Sequence, residues 1–164
     1  MKISKLKYKK YSQGFSLAEA VIVSAIASSF IIVLSLVNAN YVSYALSQSN
    51  IIGGNYLAEE SLEATKFMRD KSWSGYINGL AANYEYYLYF DGNNWTATTT
   101  VESNTPFIRT VRFDNVYRDG SDNIAAAGTL DSGTRLITTT VSWPTKTGTS
   151  TKILQTYLTN AFNN

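Results

Sequence analysis

The sequence predicts an α+β protein. A long N-terminal helix, membrane-spanning in its first half and amphipathic in its second, packs on a C-terminal antiparallel β-sheet domain. Three observations carry this prediction. Ala20 to Val37 is a run of eighteen residues without a charge. Apolar residues then recur at helical spacing as far as Met68. Beyond Trp73 the period falls to two, and seventeen of the eighteen threonines lie between Thr96 and Thr159. Such β-branched residues suit a pleated strand.

The apolar run comes first. Counting from Phe15 to Val37, twenty-three residues hold one charge, Glu19. As a helix they rise about 34 Å, enough for the roughly 30 Å hydrocarbon core of a bilayer. Five lysines (Lys2, Lys5, Lys7, Lys9 and Lys10) precede the run, and no acid appears before Glu19. From residue 15 onward nine Lys+Arg stand against twelve Asp+Glu, so the net +2 joins a cationic tip to a body of −3. The positive-inside bias puts the N-terminus in the cytoplasm and everything after residue 40 outside, with the spanning part reaching to about residue 38. No nucleic-acid partner is expected, because such proteins carry their positive charge on the folded part. A secretory signal cut near Val37-Asn38-Ala39 is the competing reading. The run is longer than the roughly 7–15 residues of a signal core.

Helical composition continues to about Arg69, giving a helix from 15 to 70 about 80 Å long. Val42, Leu46, Gly53, Leu57, Ala64 and Met68 fall at spacings of 4, 7, 4, 7 and 4, which predicts one buried face. Glu59, Glu60, Glu63, Lys66 and Asp70 take the remaining arc. Gly53-Gly54 predicts a kink or a close approach, since each glycine costs roughly 1 kcal/mol in a helix. Ala20, Ser24 and Ser28 form a small-residue stripe of the kind that lets helices approach in lipid.

Residues 71–164 read as a β-rich head. Tyr84, Tyr86, Leu88 and Phe90 alternate with Glu85, Tyr87 and Tyr89. A turn at Asp91-Gly92-Asn93-Asn94 follows, then a strand from Trp95 to Val101. Phe107 to Phe113 is the third strand, and Ile137 to Trp143 the fourth, stopped by Pro144. Ile153 to Leu158 is the fifth. Asp114 to Gly133 reads as a long connection, and Lys146 to Thr151 as a turn. Five short strands close a core only against another element, and the amphipathic half of the helix is that element.

Candidate chemistry is sparse. Histidine and cysteine are absent, which excludes imidazole bases, thiol nucleophiles, zinc fingers and disulfide scaffolds. No serine has a base at a recognisable spacing, so no enzymatic activity, catalytic residue or cofactor is expected. Asp119, Asp122, Asn123 and Asp131 supply oxygen donors, but their spacing lacks the glycine and glutamate of an EF-hand. Turn chemistry accounts for them, and no metal is expected. Arg109 and Arg112 lie on opposite faces of one strand and read as surface pairing. Asn94-Trp95-Thr96 fits a glycosylation acceptor, yet the hairpin turn already explains it. Tyr87 and Tyr89 form a candidate contact surface.

One constellation remains. A carboxylate inside a spanning helix is disfavoured by roughly 2.5–3.5 kcal/mol at the bilayer centre, so Glu19 calls for a function. It stands in the string Gly14-Phe15-Ser16-Leu17-Ala18-Glu19, directly behind the basic residues 1–14. This string resembles the processing site of type IV prepilins and pseudopilins. The resemblance implies cleavage by a prepilin peptidase between Gly14 and Phe15, N-methylation of Phe15, and a filament-assembly role for Glu19. It also implies partners: the membrane, the peptidase, other pilin or pseudopilin subunits and an assembly platform. Their filament lies outside the cytoplasmic membrane. An amine created at Phe15 stands one helical turn from Glu19, where the two charges can pair within a chain or between chains. The alternative is a secreted or membrane-tethered β-domain that binds a ligand, with residues 1–40 as its signal or anchor.

Overall fold

The computed structural model describes residues 14–101 and 106–162. The expected leader, residues 1–14, therefore lies outside the described residues except for Gly14. Helix α1 runs Leu17–Lys71 without interruption. The chain divides into two compact units, Met1–Ala45 and Leu46–Asn164, and the division falls inside α1. In the first unit the apolar side chains from Val21 to Val37 are exposed along the helix. This stretch is long and apolar enough to cross a membrane.

The second unit is a sheet covered on one face by the last part of α1. Strands β1 (Glu85–Phe90), β2 (Trp95–Thr98), β3 (Ile108–Arg118), β5 (Thr129–Thr145) and β6 (Gly148–Thr159) lie in the order β2-β1-β3-β5-β6, every pair antiparallel. The two-residue strand β4 (Ile124–Ala125) pairs with the end of β3. The fold is thus α+β, a long N-terminal helix on a C-terminal antiparallel sheet. Between helix and sheet, Met68, Trp73, Ile77, Leu88, Val111, Phe113, Ile137 and Leu158 form the main core. Trp73 and Ile77 enter it from a helical turn, α2 (Trp73–Tyr76), which Ser72 caps by accepting from the Gly75 N–H at 3.1 Å. The sequence pattern did not mark that turn.

The buried face of α1 differs from the expected one. Val42 and Leu46 are exposed, while Gly54, Ala58, Ser61, Ala64, Thr65 and Met68 are buried. Only Ala64 and Met68 belong to both sets. The reason is a division of bulk. The sheet supplies large side chains, and the helix supplies the space they need. A Cβ built on Gly54 would sit 2.4 Å from the Trp143 ring, so the indole packs directly on helix backbone. Gly53 faces Phe107 in the same way, at 3.0 Å. Of the two expectations for the glycine pair, close approach is the one these contacts bear out. The buried hydroxyls are satisfied inside the helix: Ser61 donates to the Leu57 carbonyl at 2.7 Å and Thr65 to that of Leu62 at 2.8 Å. Burial therefore leaves neither one without a partner.

The strands also depart from their expected bounds. Asp114 to Gly133 is not a long connection. β3 continues to Arg118, a turn at Asp119–Asn123 leads to β4, and β5 begins at Thr129. β5 carries a bulge opposite Asn115/Val116, where the register moves from Arg135 to Asp131. Polar residues on this half of β3 hid its alternation. Pro144 does not stop β5 either, because it pairs with Thr149. The β3–β5 ladder begins at Ile108↔Ser142, so beyond Ser142 β5 has a neighbour on one side only. There a missing N–H is tolerated as on an edge strand. The turn that follows is two residues, Lys146-Thr147, tighter than expected. β2 ends at Thr98 rather than Val101.

Candidate functional site

The residues singled out at the N-terminus meet in one local structure. Gly14, Phe15 and Ser16 are non-helical and exposed, and α1 starts at Leu17. Ser16 is its N-cap. The Ser16 carbonyl accepts the first helical hydrogen bond, from the Ala20 N–H at 3.1 Å. The Ser16 hydroxyl oxygen accepts from the Glu19 N–H at 3.2 Å. The Glu19 carboxylate reaches back and accepts from the Ser16 N–H at 2.9 Å. This reciprocal pair is a capping box, which satisfies two N–H groups that a helix start otherwise leaves open. It also places a negative charge where the helix dipole is positive. Ser16 is the residue that sequence reasoning missed, although the Ser-x-x-Glu spacing carries the signal.

The arrangement leaves the Gly14–Phe15 peptide bond outside the helix and open to solvent. A side chain at position 14 would meet nothing within 4 Å. The fold itself therefore does not need glycine here. Phe15 is 75% exposed.

Ala20, Ser24 and Ser28 lie on α1 with exposed side chains. Both serine hydroxyls turn back onto the helix, Ser24 to the Val21 carbonyl at 2.9 Å and Ser28 to the Ser24 carbonyl at 2.8 Å. Ser29 and Ser35 do the same. Back-bonding of this kind lets a serine enter an apolar medium with its donor already used.

The candidate residues of the head are engaged with one another. Asp131 accepts from Arg118 at 2.7 Å; this guanidinium, then Thr134, holds its carboxyl below the ordinary value. The N–H groups of Asn123 and Ser121 hold Asp119 low likewise. Asp122 lies 3.6 Å from Arg118. The structure thus gathers Asp122 and Asp131 around a cation of the chain itself. Arg109 pairs with Glu60 and stands 5.4 Å from the Trp95 ring, whereas Arg112 pairs with Asp114 at 2.7 Å. Asn94 accepts from Lys71 within the hairpin turn that Asp91 organises. Tyr87 and Tyr89 point to the face away from α1, Tyr87 half-buried and Tyr89 exposed. Among the described residues named here, none is paired as nucleophile and base. Comparison with family models, curated proteins and solved structures finds no match for this chain.

Proposed function

We propose that the chain is a structural subunit of a type IV pilus or a type II secretion-like filament, cut by a prepilin peptidase and without catalytic activity of its own. One observation carries the reading. An accessible, non-helical Gly14–Phe15 bond lies immediately before a capped apolar helix, and that helix's third residue is Glu19. Peptidases act on exposed backbone outside regular structure, and this bond is exposed and non-helical. Cleavage turns the Phe15 nitrogen into a cationic amine, the residue proposed to be methylated. Glu19 is already held at the same end of the helix. In an apolar medium an unpaired charge is costly, so amine and carboxylate set the register of chain against chain. The peptidase, the sister subunits and the assembly platform are the partners on this reading. The α1 segment up to about residue 38 is the membrane anchor, with the N-terminus inside and the head outside.

The deciding experiment is the N-terminal mass of the mature protein from a membrane fraction. A chain beginning at Phe15, with a methyl group on its amine, supports the proposal. A chain beginning near Asn40 overturns it and favours a conventionally secreted β-domain.

A further inference from the structure

We propose that β6 is a pairing edge through which two copies of this chain join, strand against antiparallel strand, about a two-fold axis at Gln155. The first support is the state of that edge. β6 closes one side of the sheet and, among the described strands, pairs with β5 alone. It is twelve residues long with an unbroken register, whereas the opposite edge, β2, has four residues. Exposed edges are usually blunted by charges, proline or bulges. Here Gly148–Thr159 carries one charge, Lys152, and no proline.

The second support is the match of β6 with itself. In an isologous antiparallel pair, residues equally distant from the axis face each other. Counting outward from Gln155, Leu154 meets Thr156, Ile153 meets Tyr157, Lys152 meets Leu158 and Thr151 meets Thr159. Ile153 and Tyr157 are 56% and 50% exposed, on the sheet face turned away from α1. Pairing sets each against the other twice, a β-branched residue beside an aromatic one, which is a favourable cross-strand combination. The two lysines avoid each other, so no like charges stand opposed. An axis at Leu154 would place Ile153 against Gln155, and one at Thr156 would place Tyr157 against Gln155. The complementarity belongs to β6 and its own copy, which identifies the occupant. This inference is independent of how the N-terminus is processed.

The chain has no cysteine, so single cysteines report the contact cleanly. Opposed residues of an antiparallel pair lie about 4.5–5.5 Å apart at Cα, within disulfide reach. Full-length Gln155→Cys, mildly oxidised in detergent, should give disulfide dimers roughly tenfold above Thr98→Cys on β2. Adding Ile153→Lys to Gln155→Cys should cut the dimer roughly tenfold, since both Ile–Tyr pairs go at once. Thr151→Cys and Thr159→Cys should each stay monomeric alone and cross-link when mixed. The proposal is overturned if Gln155→Cys dimerises no more than Thr98→Cys, or couples only to other proteins. Indifference to Ile153→Lys, or a silent Thr151/Thr159 mixture, overturns it as well.

Discussion

Gly54→Ala offers a sharp test of how α1 meets the sheet, because two effects of opposite sign compete at that position. In an isolated helix the change is worth about 1 kcal/mol in favour of alanine. In this protein the new methyl group would lie 2.4 Å from Trp143 Cζ3 and 2.9 Å from Cε3 and Cη2. Trp143 is 5% exposed, clustered with Ala58 and Val141, and its ring centroid is 5.9 Å from that of Phe107. The indole has no free side to move into. Overpacking costs about 1–3 kcal/mol, and a ring met at this distance belongs at the upper end. The net expectation is a loss of about 2 kcal/mol, or roughly 8 °C in Tm for a unit of this size. Heat unfolding of residues 46–164, followed by circular dichroism, reads it directly. Gly53→Ala is the comparison, because its methyl meets the tip of the half-buried Phe107 ring, which can give way. That variant should be neutral or more stable. Gly54→Ala combined with Trp143→Leu should recover part of the loss by removing the clash. A Gly54→Ala protein that melts at or above wild type would refute the packing argument.

Three further outcomes are expected. Glu19→Ala should insert into the membrane at least as well as wild type yet be depleted from sheared filaments. Glu19→Gln keeps an acceptor for the Ser16 N–H but not the charge, so equal depletion of both variants would assign the defect to the charge. A chain from Leu46 to Asn164 should be soluble and folded, whereas one beginning at Ser72 exposes Val111, Phe113, Ile137 and Val141 and should bind a hydrophobic dye; equal cooperative melting of the two would exclude the helix from the core. The carboxyls of Asp119 and Asp131 are held below their ordinary value of 3.8, so the stability they contribute is present above that pH and lost as pH falls through the depressed values. The Tm of Leu46–Asn164 should therefore drop more steeply below about pH 4 in wild type than in Asp131→Asn.

The two periodicities made the architecture legible: an apolar run long enough for a bilayer, then alternation beyond Trp73. The hairpin of β1 and β2 was legible for the same reason, with its turn at Asp91–Asn94. The buried face of α1 was not. Hydrophobic periodicity ranks large apolar residues, and this interface uses glycine, alanine, serine and threonine as recesses for Trp143 and its neighbours. Two facing surfaces must be known before a small residue can be recognised as a packing residue. The length of β5 was hidden because Pro144 looks like a stop, and whether it stops a strand depends on where β3 begins. At the candidate site, Glu19 stood out as a carboxylate in an apolar run, whereas Gly14 and Phe15 were singled out by the resemblance to a prepilin processing site. Ser16 was passed over although its Ser-x-x-Glu spacing carries the capping-box signal, and the structure shows its hydroxyl and N–H facing Glu19.

That geometry changes how Glu19 should be understood on the proposed reading. If the carboxylate served only to meet the Phe15 amine, the uncut chain would carry a charge with no partner beside an apolar helix. The capping box removes that difficulty. One carboxylate oxygen already accepts from the Ser16 N–H, at the positive end of the helix dipole. Among the described residues the second oxygen has no partner. Cutting at Gly14–Phe15 creates the amine on the residue adjacent to Ser16, so the new cation appears beside a carboxylate that is already oriented. No rearrangement of α1 is required, and the cap need not be given up when the ion pair forms. The same residue can then stabilise the helix start before processing and direct the register of neighbouring chains after it.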